Sequence, residues 1–192
     1  MTTPPGGEVR RTAFVLTTSD LAAAGQREDR SGALVAERLA ALGFTVERRV
    51  VPDDEEQIRA ALVEAAARHP LVLTTGGTGL TPRDVTPQAT AAVIDFPVPG
   101  LAEAMRAEGR RHTPLAILSR AVAGVRGRTL IVNLPGSPQG ALESLAAIEV
   151  VLDHALETLA GPFNHGPGFR HPPPAPEPGD SHGSDPDQPT AA

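Results

Sequence analysis

The sequence predicts an α/β layered domain around a mostly parallel sheet. Three observations carry this. Short apolar runs alternate with stretches of helical periodicity through the first 163 of the 192 residues, Gly and Pro punctuate the junctions, and no internal repeat divides the chain. The resulting order is β-α-β-α-β-loop-α-α-β-β-α, in which strands separated by helices run parallel.

Thr12 to Thr18 is an apolar run bounded by polar residues, suited to a buried strand. The helix after it takes Ser31 as N-cap, carries Leu34, Val35, Leu39 and Leu42 at helical spacing, and stops at Gly43. Phe44 to Val51 alternates as a half-buried or edge strand does. Asp53 or Asp54 caps the next helix, which places Ile58, Leu62 and Val63 on one face, ends near His69 and is closed by Pro70. Leu71 to Thr75 is another strand and leads directly into a Gly-rich loop. Thr86 and Pro87 are cap and first turn of a helix to about Ile94, and Pro99 opens a second one with Leu101 and Met105. Ala116 to Val125 and Thr129 to Leu134 read as strands about the Arg126-Gly127-Arg128 turn, and the last helix extends from about Gln139 to Leu159.

Composition narrows the chemistry. The chain has no Cys, so disulfides, thiolate nucleophiles, iron–sulfur clusters and Cys-ligated zinc are excluded. All 17 basic residues are Arg, so a Schiff base, an adenylated lysine and an ordinary Walker A loop are excluded as well. A net charge of -6 and only five scattered Phe argue against nucleic-acid binding. No segment approaches the roughly 18 apolar residues of a membrane span, and Met1 to Glu8 lacks the apolar core of a signal sequence. The expectation is a cytoplasmic protein with no membrane contact. Residues 1–9 read as a flexible N-terminus, 10–163 as one domain, and 164–192 as a disordered tail that holds eight of the 20 prolines together with His165, His171 and His182.

In such sheets ligands bind beyond the carboxyl ends of the strands, and two loops occupy that position. Gly76, Gly77 and Gly79 let the first loop bend tightly and present N–H groups, while Thr75 and Thr78 add hydroxyls. That composition serves either as a phosphate cradle or as a purely structural turn. The second loop, Asn133-Leu134-Pro135-Gly136-Ser137-Pro138, puts Gly136 and Ser137 at a helix N-terminus, where an anion is favoured or where Ser137 simply caps the helix. Asp84 and Asp53 are the carboxylates best placed to face such a crevice, either as metal-binding groups or as helix caps. Arg83 offers either charge neutralisation or a solvated loop residue. His69, His112 and His154 have no carboxylate or His at ligand spacing and read as surface or satisfied histidines.

The run from Thr74 to Thr90, TTGGTGLTPRDVTPQAT, resembles the signature of the molybdopterin adenylyltransferase family of molybdenum cofactor biosynthesis. Ser19-Asp20 with Gly25, Asp29, Ser31 and Gly32, then Val51-Pro52-Asp53, Leu118-Ser119-Arg120 with Gly124, and the Asn133 to Pro138 run are similar to further motifs of that family in order and spacing. Leu21 stands where the family often has Arg, which puts an ionic role there in doubt. The resemblance covers roughly residues 10 to 162 and implies a three-layer α/β domain that assembles as a homotrimer. It implies transfer of AMP from ATP to the terminal phosphate of molybdopterin, with release of pyrophosphate and a divalent cation such as Mg²⁺. It makes Asp84 and Asp53 the catalytic and metal-holding carboxylates. Substrate contacts then fall to Ser19, Asp20, Thr75, Gly76, Gly77, Thr78, Gly79 and Arg83, and to Ser119, Arg120, Asn133, Pro135, Gly136, Ser137 and Pro138. A downstream molybdenum insertase is the implied partner. The alternative within the resemblance is a molybdopterin-binding carrier with little or no transferase activity.

Overall fold

The computed structural model describes residues 11–161; the segments expected as a flexible N-terminus and a Pro-rich tail, with the tail's histidines, lie outside the described residues. In chain order the elements are β1 Thr12–Thr18, α1 Asp20–Ala23, α2 Arg30–Ala41, β2 Thr45–Val51, α3 Glu55–Ala66, β3 Leu71–Thr75, α4 Thr86–Ala91, β4 Phe96–Pro97, α5 Pro99–His112, a 3-10 turn Pro114–Leu118, β5 Ala123–Arg126, β6 Thr129–Leu134 and α6 Pro138–Ala160. One sheet runs in the order β2-β1-β3-β6-β5-β4. Its first four strands are parallel, and β5 and β4 add an antiparallel edge.

Alternation along the strands creates the three layers. Ala13 and Val15 of β1 turn to one face, with Leu73 and Val132, and meet α2, α5 and α6 through Val35, Leu39, Met105, Leu145 and Ile148. Phe14 and Leu16 turn to the other, with Val72 and Ile131, and meet α3 and α4 through Ile58, Leu62 and Ala89. Each central strand is therefore apolar on both sides, as parallel strands covered by two helical layers must be. The edge strand β2 is instead exposed or half-buried up to Val51 and carries Glu47, Arg48 and Arg49, a charged edge that discourages pairing with another chain.

Several local expectations change. Asp29, not Ser31, caps α2, its Oδ1 accepting from Gly32 N–H at 2.8 Å; Ser31 falls inside the first turn and is buried. At the other end Gly43 has φ +89°, and the N–H groups of Gly43 and Phe44 bond the Ala40 and Leu39 carbonyls, closing the helix with a left-handed residue as its sequence suggests. Asp54 caps α3 through Gln57 N–H at 2.9 Å, which leaves Asp53 for other partners, and α3 ends at Ala66 rather than near His69. Thr86 is not a cap but the first residue of α4, whose N-cap Val85 makes no side-chain bond and which ends at Ala91 rather than Ile94. The Thr86 hydroxyl is consumed by a buried bond to Thr18 Oγ1 at 3.0 Å.

The Ala116 to Val125 segment is not one strand. Pro114 opens a 3-10 turn, capped by Thr113 Oγ1 on Leu115 N–H at 3.3 Å, and the strand begins only at Ala123. The short α1 and β4 have no counterpart in the sequence reading; each is too brief to show a period.

Register brings the loops together. Thr17 pairs with Thr75, Thr75 with Leu134, and Thr18 with Val51, so the chain leaves β1, β2, β3 and β6 at one edge of the sheet. No helix among the described residues is long and apolar enough to cross a membrane.

Candidate functional site

The Gly-rich loop after β3 has a shape that only glycine permits at its first two positions. Gly76 has φ +101° and Gly77 φ +61°. A Cβ on Gly76 would stand 2.3 Å from the Thr18 carbonyl oxygen, and one on Gly77 2.3 Å from Thr86 Oγ1. The second loop presses on the first: a Cβ on Gly136 would lie 3.2 Å from Gly76 Cα. Thr75 Oγ1 donates to the Pro135 carbonyl at 2.7 Å and ties the two together. Ser137 caps α6, accepting from Gly140 N–H at 3.2 Å, with Pro138 in the first turn. The capping alternative for Ser137 thus holds, and the start of a 23-residue helix still faces the loop junction.

On the acidic side, Asp20 and Asp53 brace one another. Asp20 N–H donates to Asp53 Oδ2 and Asp53 N–H to Asp20 Oδ1, both at 3.0 Å. Ser19 sets this turn, its Oγ accepting from Ala22 N–H at 3.3 Å. Arg83, from the Gly-rich loop, closes on the Asp20 carboxylate with Nε at 3.0 Å and Nη2 at 2.7 Å. That hydrogen-bonded pair holds the exposed Asp20 carboxyl below its ordinary range and raises Arg83 in turn. Asp53 moves the opposite way: burial pushes its carboxyl up, and the charges of Asp20 and Asp84 add to that against the opposing Asp20 N–H bond and Arg83 charge. Asp84 is raised by burial, but the hydroxyl and N–H of Thr81, bonded to Oδ2 at 2.6 and 2.8 Å, the Gly79 N–H and the Arg120 charge outweigh it and lower the group.

Two residues expected at the ligand are turned inward. Arg120 donates from Nε to the Gly79 carbonyl at 2.6 Å and from Nη2 to the Asp84 carbonyl, so its charge is spent on shaping the loop. Asn133 is fully buried; its Nδ2 donates to Thr74 Oγ1 at 3.0 Å and Thr90 Oγ1 at 2.8 Å, and its Oδ1 accepts from Val122 N–H at 3.2 Å. It ties β3, α4 and the approach to β5 behind the crevice. Ser119 faces a neighbouring cavity and accepts from Ala121 N–H at 3.3 Å.

That cavity, of about 250 Å³, lies between α5, the 3-10 turn and the start of α6, and Thr78, Gly79, Pro135 and Ser137 of the two loops form part of its lining. Met105, Arg106, Gly109, Glu143 and Ser144 line it, and sequence reasoning missed them all. Their signal is faint: an Arg and a Gly on the inner side of an otherwise ordinary amphipathic helix. His112 is a satisfied surface histidine, as expected, although a carboxylate does stand at helical spacing: Glu108 lies four residues before it with Oε1 3.1 Å from Nε2, and Glu143 Oε1 is 3.5 Å from Nδ1. His69 pairs with Glu47 at 3.3 Å.

Among the described residues no three His, Cys, Asp or Glu side chains form a group able to hold a metal ion. Asp53 and Asp84 repel one another beside the Gly-rich loop. Such a pair fits Mg²⁺, which takes one or two carboxylates from a protein and completes its shell with phosphates and water.

The chain matches the model of a family described as a probable molybdopterin binding domain over residues 14–156. It is 39% identical over 165 residues to the molybdenum cofactor biosynthesis bifunctional protein of Synechococcus elongatus, a match covering 85% of this chain and 51% of that one, so that it spans about half the length of this relative. It is 38% identical over 156 residues to the molybdopterin adenylyltransferase of Helicobacter pylori, covering 78% of this chain and 88% of that protein. Among solved structures, the molybdopterin biosynthesis enzyme MoaB of Thermus thermophilus aligns with a TM-score of 0.74 at 50% identity, covering 80% of this chain and 99% of that one. A six-stranded, mostly parallel sheet with two touching loops at its edge is thus joined to a sequence match over most of its length, and the chain belongs to the molybdopterin-binding domain family of molybdenum cofactor biosynthesis.

Proposed function

We propose that the chain is a molybdopterin adenylyltransferase: it transfers AMP from ATP to the terminal phosphate of molybdopterin and releases pyrophosphate. The observation that supports this reading is the packing of the Gly136 loop on Gly76, in the same Gly-rich loop that carries Asp84, whose charge acts on Asp53. A phosphate oxygen of the pterin attacks the α-phosphorus of ATP; the new P–O bond forms as the bond to the β-phosphate oxygen breaks, and pyrophosphate leaves with the electron pair.

The chain's own part is position and charge. The Gly77 N–H and the Thr78 hydroxyl bind phosphate oxygens, while the Gly76 N–H, on the Leu134 carbonyl, and the Gly79 N–H, on Asp84, hold the loop that presents them, and the first turn of α6 from Gly136 and Ser137 binds a second phosphate. Asp53 and Asp84 hold Mg²⁺, which neutralises phosphate charge when bound. Arg83, exposed, held by Asp20 and with its charge acting on Asp53, meets the departing pyrophosphate. Arg120 and Asn133 act behind the crevice as positioning residues. The reading extends to a cytoplasmic homotrimer, each subunit keeping its own site, that passes its product to a molybdenum insertase.

Pyrophosphate release from Mg²⁺-ATP, with and without freshly made molybdopterin, tests this. Release should require the pterin and fall at least ~100-fold in Asp84→Asn with the fold intact, the scale on which a lost electrostatic contact to the transition state acts. Pterin binding without pyrophosphate from the natural protein would instead mark a carrier.

A further inference from the structure

The Gly-rich loop is seated on two buried hydroxyls. Thr18 ends β1 and Thr86 begins α4, and both side chains are shut off from solvent. Thr18 Oγ1 lies 3.0 Å from Thr86 Oγ1 and donates to the Thr75 carbonyl at 3.5 Å, so the hydroxyl proton of Thr86 goes to Thr18. Both oxygens fill the space that side chains would take on the loop. A Cβ on Gly76 would stand 2.9 Å from Thr18 Oγ1, and one on Gly77 3.0 Å from the same atom. The backbone of Thr86 joins them, its N–H donating to the Gly77 carbonyl at 3.2 Å. A trans peptide points its C=O and N–H in opposite directions, so this bond turns the Thr78 N–H away from α4. Among the described residues the N–H groups of Gly77 and Thr78 have no acceptor. They are two consecutive free donors after a left-handed turn, an arrangement that takes an anion.

We infer that Thr18 and Thr86 are positioning residues for the transfer: their hydroxyl bond, with the Thr86 N–H, sets the Gly77–Thr78 peptide in its phosphate-binding orientation. The inference rests on the adenylyltransferase reading and adds to it two residues that act through the loop rather than on a substrate. Packing alone does not call for the bond, since an apolar pair of matching shape fills a buried site at little or no cost in stability. A hydroxyl pair differs in fixing a distance and a direction. The place of Thr18 in the chain gives that distance a use. Ser19 follows it, bonded through its N–H to the Val51 carbonyl at 2.9 Å, and then comes Asp20, braced against Asp53. The bond between Thr18 and Thr86 therefore ties the turn that holds Asp53 to the loop that binds phosphate. Displacement of one against the other is felt in the rate of the bound complex more than in its formation.

Alanine and serine both drop the threonine methyl, so comparing them isolates the hydroxyl. Thr18→Ala and Thr86→Ala should each lower kcat at least ~10-fold, with KM for Mg²⁺-ATP and for molybdopterin within about threefold. The double variant should fall no further than the less active single one, because both lose the same bond. Thr18→Ser and Thr86→Ser should stay within about threefold of the natural kcat. In ¹⁵N-labelled full-length protein the Thr78 amide resonance should move on titration with Mg²⁺-pyrophosphate, and Thr86→Ala should reduce that movement. An alanine variant that melts lower but keeps the natural kcat overturns the inference, as does a serine variant no better than alanine. A natural protein that turns over molybdopterin while its Thr78 amide stays unmoved by Mg²⁺-pyrophosphate overturns it too, and leaves the transferase reading standing. Movement of Thr78 that Thr86→Ala removes, in a protein without turnover, retains the positioning of the peptide and overturns the transferase reading; a protein showing neither overturns both. Where an alanine variant does not fold, the serine variants and the Thr78 amide of the natural protein decide by the same outcomes.

Discussion

Arg83 and Arg120 lie 37 positions apart and read alike in the sequence, yet their surroundings give them opposite work. Arg83 is well exposed and clasps Asp20, so Arg83→Ala should change the melting temperature little, as loss of an exposed ion pair does, while raising KM for ATP. Arg120 is turned in on the carbonyls of Gly79 and Asp84, and Arg120→Ala leaves both without their donor. A loss of about 1–3 kcal/mol in denaturant unfolding is expected. Asp53 shows the cost of a site in its titration. Its carboxyl is raised in the folded chain, so the charged form is disfavoured there: the stability linked to its protonated form is present below the unfolded-state value and is lost as pH rises through the folded one. Asp53→Asn should therefore abolish turnover at neutral pH without lowering the melting temperature, and the difference in stability from the natural protein should shrink as pH falls through the raised value. A destabilised Asp53→Asn at neutral pH would contradict this account of the pair.

Elements show where local sequence suffices and where it does not. The bounds of β1, β3 and β6 and nearly those of α6 are legible because apolar runs or helical periods span them, with polar residues flanking β1 and Pro or Gly at the ends of the others. Caps are less so: at Asp29 and Ser31, and at Asp53 and Asp54, two eligible side chains compete, and backbone geometry picks one of each pair. The choice of Asp54 for α3 is what frees Asp53 for the crevice, so a local capping decision has a functional consequence. The segment 116–125 is illegible as sequence because its apolar residues face two directions, into a cavity and toward solvent, without a strand's alternation. The two glycine loops give a sharper test at this scale. Gly77→Ala must abandon either its left-handed backbone or the Thr86 contact, at a cost of about 1–3 kcal/mol. Gly136→Ala sits at a normal φ and meets only the Gly76 backbone, so it should lower kcat/KM by more than it lowers stability, by parting the loops.

For the whole molecule, the parallel order β2-β1-β3-β6 delivers the chain at one edge four times, and the site is assembled from those deliveries rather than from any one motif. Asp53, Asp84 and the two loops were legible because each lies in a contiguous run that carries its own chemistry. The inward roles of Arg120 and Asn133, and the cavity of Arg106 and Glu143, arise from contacts between distant segments, 41 residues for Arg120 and Gly79 and 43 for Asn133 and Thr90, and no local pattern announces them. Both core clusters and the site fall within residues 11–161, so a chain ending after Pro162 should keep full turnover. A folded truncation without activity would assign the Pro-rich segment a catalytic part. The most direct measurement follows the α-phosphate of ATP, labelled with ³²P, in the presence of Mg²⁺ and molybdopterin. The account predicts label in a pterin-bound product formed in equal amount with pyrophosphate, and none from Asp84→Asn. Label found only in free AMP, or on the protein itself, would contradict transfer between two substrates held against one pair of loops.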